Sequence, residues 1–288
     1  KIPKNAITDE QALQIKAEAV FLRAVYHFEA ALMWRNIPYI DESISFANNN
    51  YMVGNDGPVW AQLETDFKFA ADNLTETKPA PGRANSWAAK AFLVKLYLFQ
   101  HKFNEAKPLV TDIINKGMTA NGKKYDLMAN YHDNFVPSKK NGPESVFAVQ
   151  MSVNDGAGGA NGNNSNGEGN AGPYGGPYPS YGFYQPSFSL VNSYKTDPVT
   201  GLPLLETFNN SDVKNDQGLA SSEPFTPYTG TLDSRLDWTV GRRGIPLLDW
   251  GVMPGQAWVR QQSVAGPYVH IKNANPQSEP EARENNST

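Results

Sequence analysis

Two pairs of closely spaced acidic residues, Asp41 with Glu42 and Asp233 with Asp237, are the side chains of this sequence best suited to chemistry. Two carboxyl groups can cleave a glycosidic bond if they lie at a defined separation in space and have different pKa values. Spacing along the chain establishes neither property. No Gly-x-Ser-x-Gly, His-Glu-x-x-His or P-loop pattern accompanies these acids. The sequence therefore gives poor support to an enzyme.

Composition narrows the function classes further. The chain has no cysteine, which excludes disulfides, thiolate metal sites and cysteine nucleophiles. Its formal net charge of −4 argues against a general binder of nucleic acid or of anionic membranes, because such proteins present a basic face. The acidic, turn-rich segment 212–218 could hold Ca²⁺ but lacks the EF-hand spacing, so no metal ion or cofactor is predicted.

The most apolar stretch of the chain predicts the helix that organises the fold. Thr8 and Gln11 have the spacing of a capping box at its start. Pro38 ends it, because the residue before a proline is pushed out of the α region. Charged residues interrupt the stretch every few positions, which argues against a transmembrane span. The sequence thus predicts an α-helix over residues 8–35.

On a helical wheel, this first helix has a narrow charged and aromatic stripe between two apolar flanks. Arg23 and His27 lie on the stripe and are interpreted as hydrogen-bonded between helices rather than as catalytic. A helix that is apolar on two flanks is predicted to lie sandwiched between neighbours. One flank carries Leu13, Val20, Ala24 and Ala31, and the other carries Ile15, Leu22, Tyr26 and Met33.

Three more helices are predicted from apolar periodicity and from their flanking proline and glycine residues. The segment 91–107 spans the last two and resembles the helix–turn–helix of a tetratricopeptide repeat. Tryptophans on the helices are interpreted as packing residues, namely Trp34, Trp60 and Trp87. The predicted helices cover residues 58–74, 87–100 and 104–116.

Beyond Gly117 the composition changes, and glycine, asparagine and proline become frequent. This predicts a short extended segment near residues 144–151, a long loop over 154–186, and short helical or extended pieces after it. The predicted fold class is mainly α. Tetratricopeptide-like helical pairs form a scaffold over residues 1–150, and a loop-rich, irregular region with short strands and helices over 151–288 packs on it as one composite domain.

Several short motifs follow one another in a fixed order along the chain. They are residues 19–28 with Ile37-Pro38-Tyr39, Gly82-Arg83-Ala84 with residues 88–93, Phe103-x-Glu105-Ala106, Asn134-Phe135 with residues 144–147, residues 232–236, and Gly266-Pro267-Tyr268 with Lys272. In this order they resemble the SusD/RagB family, the surface glycan-binding lipoproteins of Bacteroidetes-type outer membranes. Each motif is weak alone, so the resemblance depends on their order over most of the chain.

The resemblance implies a helical, tetratricopeptide-like scaffold that sits as a lid over a SusC-like TonB-dependent transporter and presents oligosaccharides to it. It also implies attachment to the outer-membrane surface through a lipid on an N-terminal cysteine. That cysteine and a last helical segment of the family are absent from this sequence. The sequence is therefore interpreted as a fragment that lacks the N-terminus and the C-terminal end, with the lipid anchor outside it.

Sugar binding needs flat apolar faces for pyranose rings beside directional polar groups for the hydroxyls. The long loop supplies aromatic faces, and its glycines allow close approach of the backbone. The alternative is that the same aromatics anchor the loop to the scaffold. The candidate ligand-binding residues in this loop are Tyr174, Tyr178, Tyr181, Phe183 and Tyr184.

A second candidate set places tryptophan beside charge, near Gly251 and Gly255. Its members are Asp249, Trp250, Trp258 and Arg260. The alternative for Trp258 is a place in the core. Arg242 and Arg243 could grip an acidic sugar, although a solvated or paired arginine is the favoured interpretation.

The sequence therefore predicts non-catalytic binding of an oligosaccharide or polysaccharide at the bacterial cell surface, followed by delivery to the transporter. The alternative is a tetratricopeptide-like scaffold that binds a peptide or protein partner in its helical groove. A glycoside hydrolase is the third and weakest hypothesis. The glycan itself cannot be named, because specificity depends on how the loop side chains converge in space.

Overall fold

The computed structural model describes residues 6–150, 173–176, 181–272, 274 and 276–278 of the 288-residue chain. The chain divides into two compact units, each held together by contacts among its own residues. The first comprises Lys1–Met128 and Asn141–Val149, and the second comprises Ala129–Lys140 and Gln150–Thr288. Among the described residues, no helix combines the length and the apolar character that a membrane crossing requires.

The first unit is built from four α-helices, each of which packs against the next along the chain. The four predicted helices are confirmed, with ends within three residues of those expected from the sequence. Together with the short, irregular elements of the second unit, they confirm the mainly α fold class. The helices are α1 (Asp9–Trp34), α2 (Trp60–Asn73), α3 (Ser86–Phe99) and α4 (Phe103–Lys116).

Local hydrogen bonds of side chains fix where α1 and α3 begin. The capping box of α1 is present: the Thr8 hydroxyl accepts from the N–H of Gln11, and the Gln11 side chain accepts from the N–H of Thr8. Asn85 caps α3 by accepting from the N–H of Ala88 at 2.8 Å. Its amide also donates to the carbonyls of Glu76 and Met118, so one buried side chain joins three segments.

Interlocked aromatic rings form the core of the helical unit. The centroid of the Phe21 ring lies 5.4 Å from that of Phe92 and 5.0 Å from that of Phe147, both in edge-to-face geometry. Phe67 stacks on Phe92 at 5.8 Å. The segment around Phe147, predicted to be extended, forms no strand over its described residues 144–150. Its phenylalanine nevertheless contributes to this core.

The prediction that α1 is sandwiched on both apolar flanks is wrong. Its buried residues are Ala17, Val20, Phe21, Ala24, Phe28 and Ala31, whereas the flank with Ile15, Leu22, Tyr26 and Met33 is exposed. The reason is that α1 packs mainly against α2 and has no helix on its other flank within the described residues. Trp34 is 67% exposed, so its interpretation as a packing residue is also wrong, while Trp60 and Trp87 do pack as expected.

A buried carboxylate joins α1 to α2. The guanidinium of Arg23 donates to both oxygens of Asp66, at 2.8 and 2.6 Å, and the Tyr39 hydroxyl donates to the same carboxylate at 2.7 Å. Hydrogen bonding to Asp66 raises the pKa of Arg23. The predicted role of Arg23 between helices is confirmed.

His27 forms a different set of hydrogen bonds from the one predicted. Its Nδ1 lies 2.8 Å from the Arg23 carbonyl on its own helix, and its Nε2 accepts from the N–H of Ile40 at 3.1 Å. One neutral tautomer satisfies both bonds, since a carbonyl can only accept. His27 therefore holds the connection after α1 rather than a second helix.

The second unit contains short elements joined by long turns. The strands β1 (Val240–Gly241) and β2 (Val269–His270) pair antiparallel, with Val240 opposite His270. The short helices are α5 (Phe188–Asn192) and α6 (Gln262–Ala265), and 3-10 turns cover Tyr131–Phe135, Ser234–Trp238 and Gln256–Trp258. Two buried hydrophobic clusters lie among these elements, one around Leu247 and Met253 and one around Val191 and Leu236.

Candidate functional site

Arg260 lies at the centre of the aromatic group predicted from the sequence. Its guanidinium donates to the carbonyl oxygen of Tyr181 at 2.8 Å. The guanidinium carbon lies 4.6 Å from the ring centroid of Phe183 and 5.5 Å from that of Tyr174. Both distances are in the range of cation–π attraction. Residues from two separate sequence candidates thus converge on one side chain.

Two glycines allow this convergence. A Cβ on Gly175 would lie 2.1 Å from the carbonyl oxygen of Ala257, and a Cβ on Gly182 would lie 2.9 Å from Cβ of Arg260. Gly182 also has a φ of +66°, a backbone conformation that residues other than glycine rarely adopt. The N–H of Tyr174 donates to the carbonyl of Trp258 at 3.1 Å, which holds the two segments together.

The aromatic residues of the two segments that contact Arg260, and the next residue Tyr184, are exposed. Tyr174, Tyr181, Phe183 and Tyr184 all retain large exposed fractions, and that of Tyr184 is 81%. Tyr184 also has a φ of +55°, which is strained for a bulky residue. Strained residues of this kind concentrate at ligand-binding and catalytic sites. A backbone hydrogen bond and the contacts of two rings with Arg260 anchor part of the loop, while much of each aromatic side chain stays exposed to solvent.

The remaining candidate residues that the structure describes make contacts other than those with Arg260. Trp250 and Trp258 are half-buried and pack on the cluster around Leu247 and Met253, so the core interpretation of Trp258 is partly confirmed. The carboxylate of Asp249 accepts from the N–H groups of Gln277 and Ser278. Burial alone would raise the pKa of Asp249. The hydrogen bonds from Gln277 and Ser278 outweigh burial, so the pKa of this carboxyl lies below its usual value. Tyr178 lies outside the described residues.

The acid pairs do not have the electrostatics of a glycoside hydrolase. Arg235 donates to both oxygens of Asp233 and lowers the pKa of that carboxyl, and Asp237 is paired with Arg242. Hydrogen bonds from Ser43 lower the pKa of Asp41. A general acid needs a raised pKa. These carboxylates are therefore structural partners of arginine and of turns.

Arg242 and Arg243 are buried, which confirms that they are paired rather than available to a sugar. Arg243 donates to the carbonyls of Ala220 and Ser221 and lies 3.8 Å from the carboxylate of Asp216. Among the described residues, no three histidine, aspartate or glutamate side chains form a group that could hold a metal ion.

A second aromatic group was not predicted from the sequence. The rings of His132 and Trp238 stack with centroids 4.6 Å apart. The ammonium of Lys272 lies 4.5 Å from the ring centroid of Phe135 and 5.5 Å from that of Tyr131. The only signal in the sequence was the density of aromatics in Tyr131–Phe135, because Trp238 and Lys272 are far away along the chain.

Family models match both halves of the chain. Residues 2–98 match a model described as "Starch-binding associating with outer membrane". Residues 143–286, half of the chain, match the model of the SusD family. Among curated proteins, a SusD-like protein of Bacteroides ovatus is 28% identical over 160 residues, which cover 51% of this chain and 28% of that protein. SusD-like protein P25 of Formosa agariphila is 23% identical over 150 residues, 51% of this chain and 27% of that protein.

Solved structures show the same fold. A SusD-like protein from Bacteroides fragilis superposes with a TM-score of 0.65 at 16% identity, covering 93% of this chain and 52% of that one. A laminarin-binding SusD-like protein gives a TM-score of 0.58 at 23% identity, covering 94% of this chain and 54% of that one. This chain thus spans about half the length of these structures and just over a quarter of the curated relatives. The chain belongs to the SusD family.

Proposed function

We propose that this chain binds an oligosaccharide or polysaccharide, without cleaving it, on the aromatic surface around Arg260. The observation that supports this most is that the rings of Tyr174 and Phe183 and the backbone carbonyl of Tyr181 converge on one guanidinium, in a member of the SusD family. About half of each of these aromatic residues stays exposed. Tyr178, Asp249 and Trp250 remain proposed contributors to the site on the sequence argument alone.

The chemistry of the group suits sugars. The apolar face of a pyranose ring packs on an aromatic ring, and the phenol hydroxyls of Tyr181 and Tyr184 can both donate to and accept from sugar hydroxyls. Binding in the millimolar range corresponds to only about −4 kcal/mol, which a few stacked rings can supply after ordering costs. Weak binding suits a protein that must release its ligand to the next component.

The ligand class is proposed as a glucan or a related polysaccharide. Support comes from two similar structures. One is described as laminarin-binding, and the other contains a xylogluco-oligosaccharide and aligns at a TM-score of 0.60 and 20% identity. The matching family description names starch.

The wider role is also part of the proposal. The full-length protein would lie at the outer-membrane surface, held by a lipid anchor, and deliver its glycan to a SusC-like TonB-dependent transporter. The family description of association with the outer membrane supports this location. Delivery and the transporter partner follow from the family resemblance alone.

Calorimetric titration of the chain with laminarin, xyloglucan oligosaccharides and starch oligosaccharides tests the binding proposal. Replacing Tyr184 with alanine is expected to lower affinity for the bound glycan about fivefold, because one stacked ring contributes roughly 1 kcal/mol. The fold should be unaffected, since the Tyr184 side chain is 81% exposed.

Tyr26→Ala is the matched control for this variant. Tyr26 is a similarly exposed tyrosine at 69%, but it belongs to the helical unit, so its loss should leave glycan affinity unchanged. Equal affinity of Tyr184→Ala and the native chain, or tight binding of a peptide with no binding of any glycan, would contradict the proposal and favour the peptide-binding alternative.

A further inference from the structure

The helical unit has a cavity of its own, with a volume of about 520 Å³, near the end of α1. This volume lies within the range of about 300–1,000 Å³ that is typical of small-molecule sites. Its lining residues come from the end of α1, the start of α2 and the end of α3. They include Leu32, Arg35, Asn36, Pro58, Trp60 and Phe99.

Aromatic rings form one wall of this cavity. The ring centroids of Trp60 and Phe99 lie 5.1 Å apart, with their planes tilted by 53°. Phe28 contacts both rings edge-on, at 6.4 and 6.3 Å, and is fully buried. The wall is therefore backed by the core while about half of Phe99 stays exposed. Each of the two rings offers an apolar face on which a sugar ring can pack.

Arg35 brings a positive charge to the same cavity. It follows directly after α1 and has a φ of +64° and a ψ of −81°, a strained conformation outside the favoured regions for residues with a side chain. Arg35 is exposed and forms no ion pair with any residue that the structure describes. Several other cations of this unit do have an acidic partner, among them Lys68, Lys90 and Lys95.

Hydrogen-bond acceptors complete the lining. The N–H of Arg35 donates to the carbonyl of Ala31 and is the last bond of the α1 ladder. The carbonyls that follow, starting with Leu32, have no partner within their helix, as at any helix C-terminus. They can accept from ligand hydroxyls, while Arg35 and Asn36 can donate.

We propose that this cavity binds a carboxylate-bearing sugar residue, such as a uronic acid. The pyranose ring packs on Trp60 and Phe99, the carboxylate pairs with the guanidinium of Arg35, and ring hydroxyls donate to carbonyls at the end of α1. A sugar fits this lining better than a peptide carboxylate, because one pyranose ring combines an apolar face with several hydroxyls that can donate to the carbonyls and accept from Arg35 and Asn36. The site is separate from the group around Arg260, so the inference does not rest on the proposed function.

Arg35→Gly is the decisive variant, because glycine tolerates the positive φ and removes the guanidinium without adding strain. Calorimetry or ligand-observed NMR would use glucuronate, galacturonate oligosaccharides and glucose as probes. The native chain is expected to bind the acidic sugars at least tenfold more tightly than glucose. Arg35→Gly should lose this preference while its thermal midpoint stays equal or rises, and Arg35→Lys should retain part of it.

Two controls separate this site from its surroundings. Trp34→Ala removes an exposed ring beside the cavity that does not line it and should leave binding unchanged. Tyr184→Ala should also leave it unchanged, which distinguishes this result from success or failure at the loop site. Equal affinity of Arg35→Gly and the native chain for glucuronate, no preference for acidic over neutral sugar, or binding of an acidic peptide instead of the sugar would overturn the inference.

Discussion

Replacing Asp66 with alanine is expected to lower the free energy of unfolding of the helical unit by about 3 kcal/mol, a typical result of breaking a buried ion pair. The Asp66 carboxylate is 4% exposed and accepts three hydrogen bonds from Arg23 and Tyr39. Its removal would leave a guanidinium and a phenol hydroxyl without their main partner. Denaturant unfolding followed by circular dichroism measures the change.

Glu42→Ala is the matched control, because Glu42 binds the same guanidinium from the exposed side. The Arg23–Glu42 distance is 2.6 Å, but the Glu42 side chain is 71% exposed. Solvent-exposed pairs contribute about 0–1 kcal/mol. Asp66→Asn should fall between the two, since it keeps the shape and loses the charge. If Asp66→Ala were no more destabilising than Glu42→Ala, the buried carboxylate would not hold α1 to α2.

Replacing Arg260 with alanine is expected to reduce glycan affinity about 30-fold. The variant loses a charged hydrogen bond to the Tyr181 carbonyl and two cation–π contacts, together about 2 kcal/mol at an exposed site. In the native chain, these interactions hold the rings of Tyr174 and Phe183 in place before the ligand binds. Calorimetry with the glycan that the native chain binds measures the loss.

Arg260→Lys should recover only part of the affinity, because an ammonium keeps the charge but lacks the planar surface that stacks on two rings. Arg235→Ala serves as the control, since it removes a more than half-exposed arginine that is paired with Asp233 in the same unit. Undiminished affinity in Arg260→Ala would show that the aromatic arrangement does not need this side chain.

The sequence predicted those features of the fold that depend on neighbouring residues along the chain. The capping box at Thr8 and the bounds of the four helices depend on local patterns, and the structure contains them. The burial of α1 was not predictable in the same way. Both of its flanks are apolar in sequence, and only the packing of α2 on one of them decides that Phe21 is buried and Met33 exposed.

The candidate site was predictable in composition but not in geometry. Aromatic residues near position 180 and Arg260 were both identified, yet their contact depends on Gly175 and Gly182 allowing two distant segments to touch. Asp249 was a candidate because carboxylates can bind sugar hydroxyls. The sequence did not show that its carboxylate accepts from the N–H groups of residues 277–278. Arg35 was missed altogether, because a strained residue after a helix has no clear signature in sequence.

NMR titration of the indole N–H signals with the bound oligosaccharide tests the central claim most directly, since the chain has six tryptophans that report from both units. Trp258 contacts the loop around Arg260, and Trp87 is buried in the helical unit. The signal of Trp258, assigned through Trp258→Phe, should shift saturably while that of Trp87 does not move. Saturable glycan binding that leaves the Trp258 signal unchanged would contradict the placement of the site.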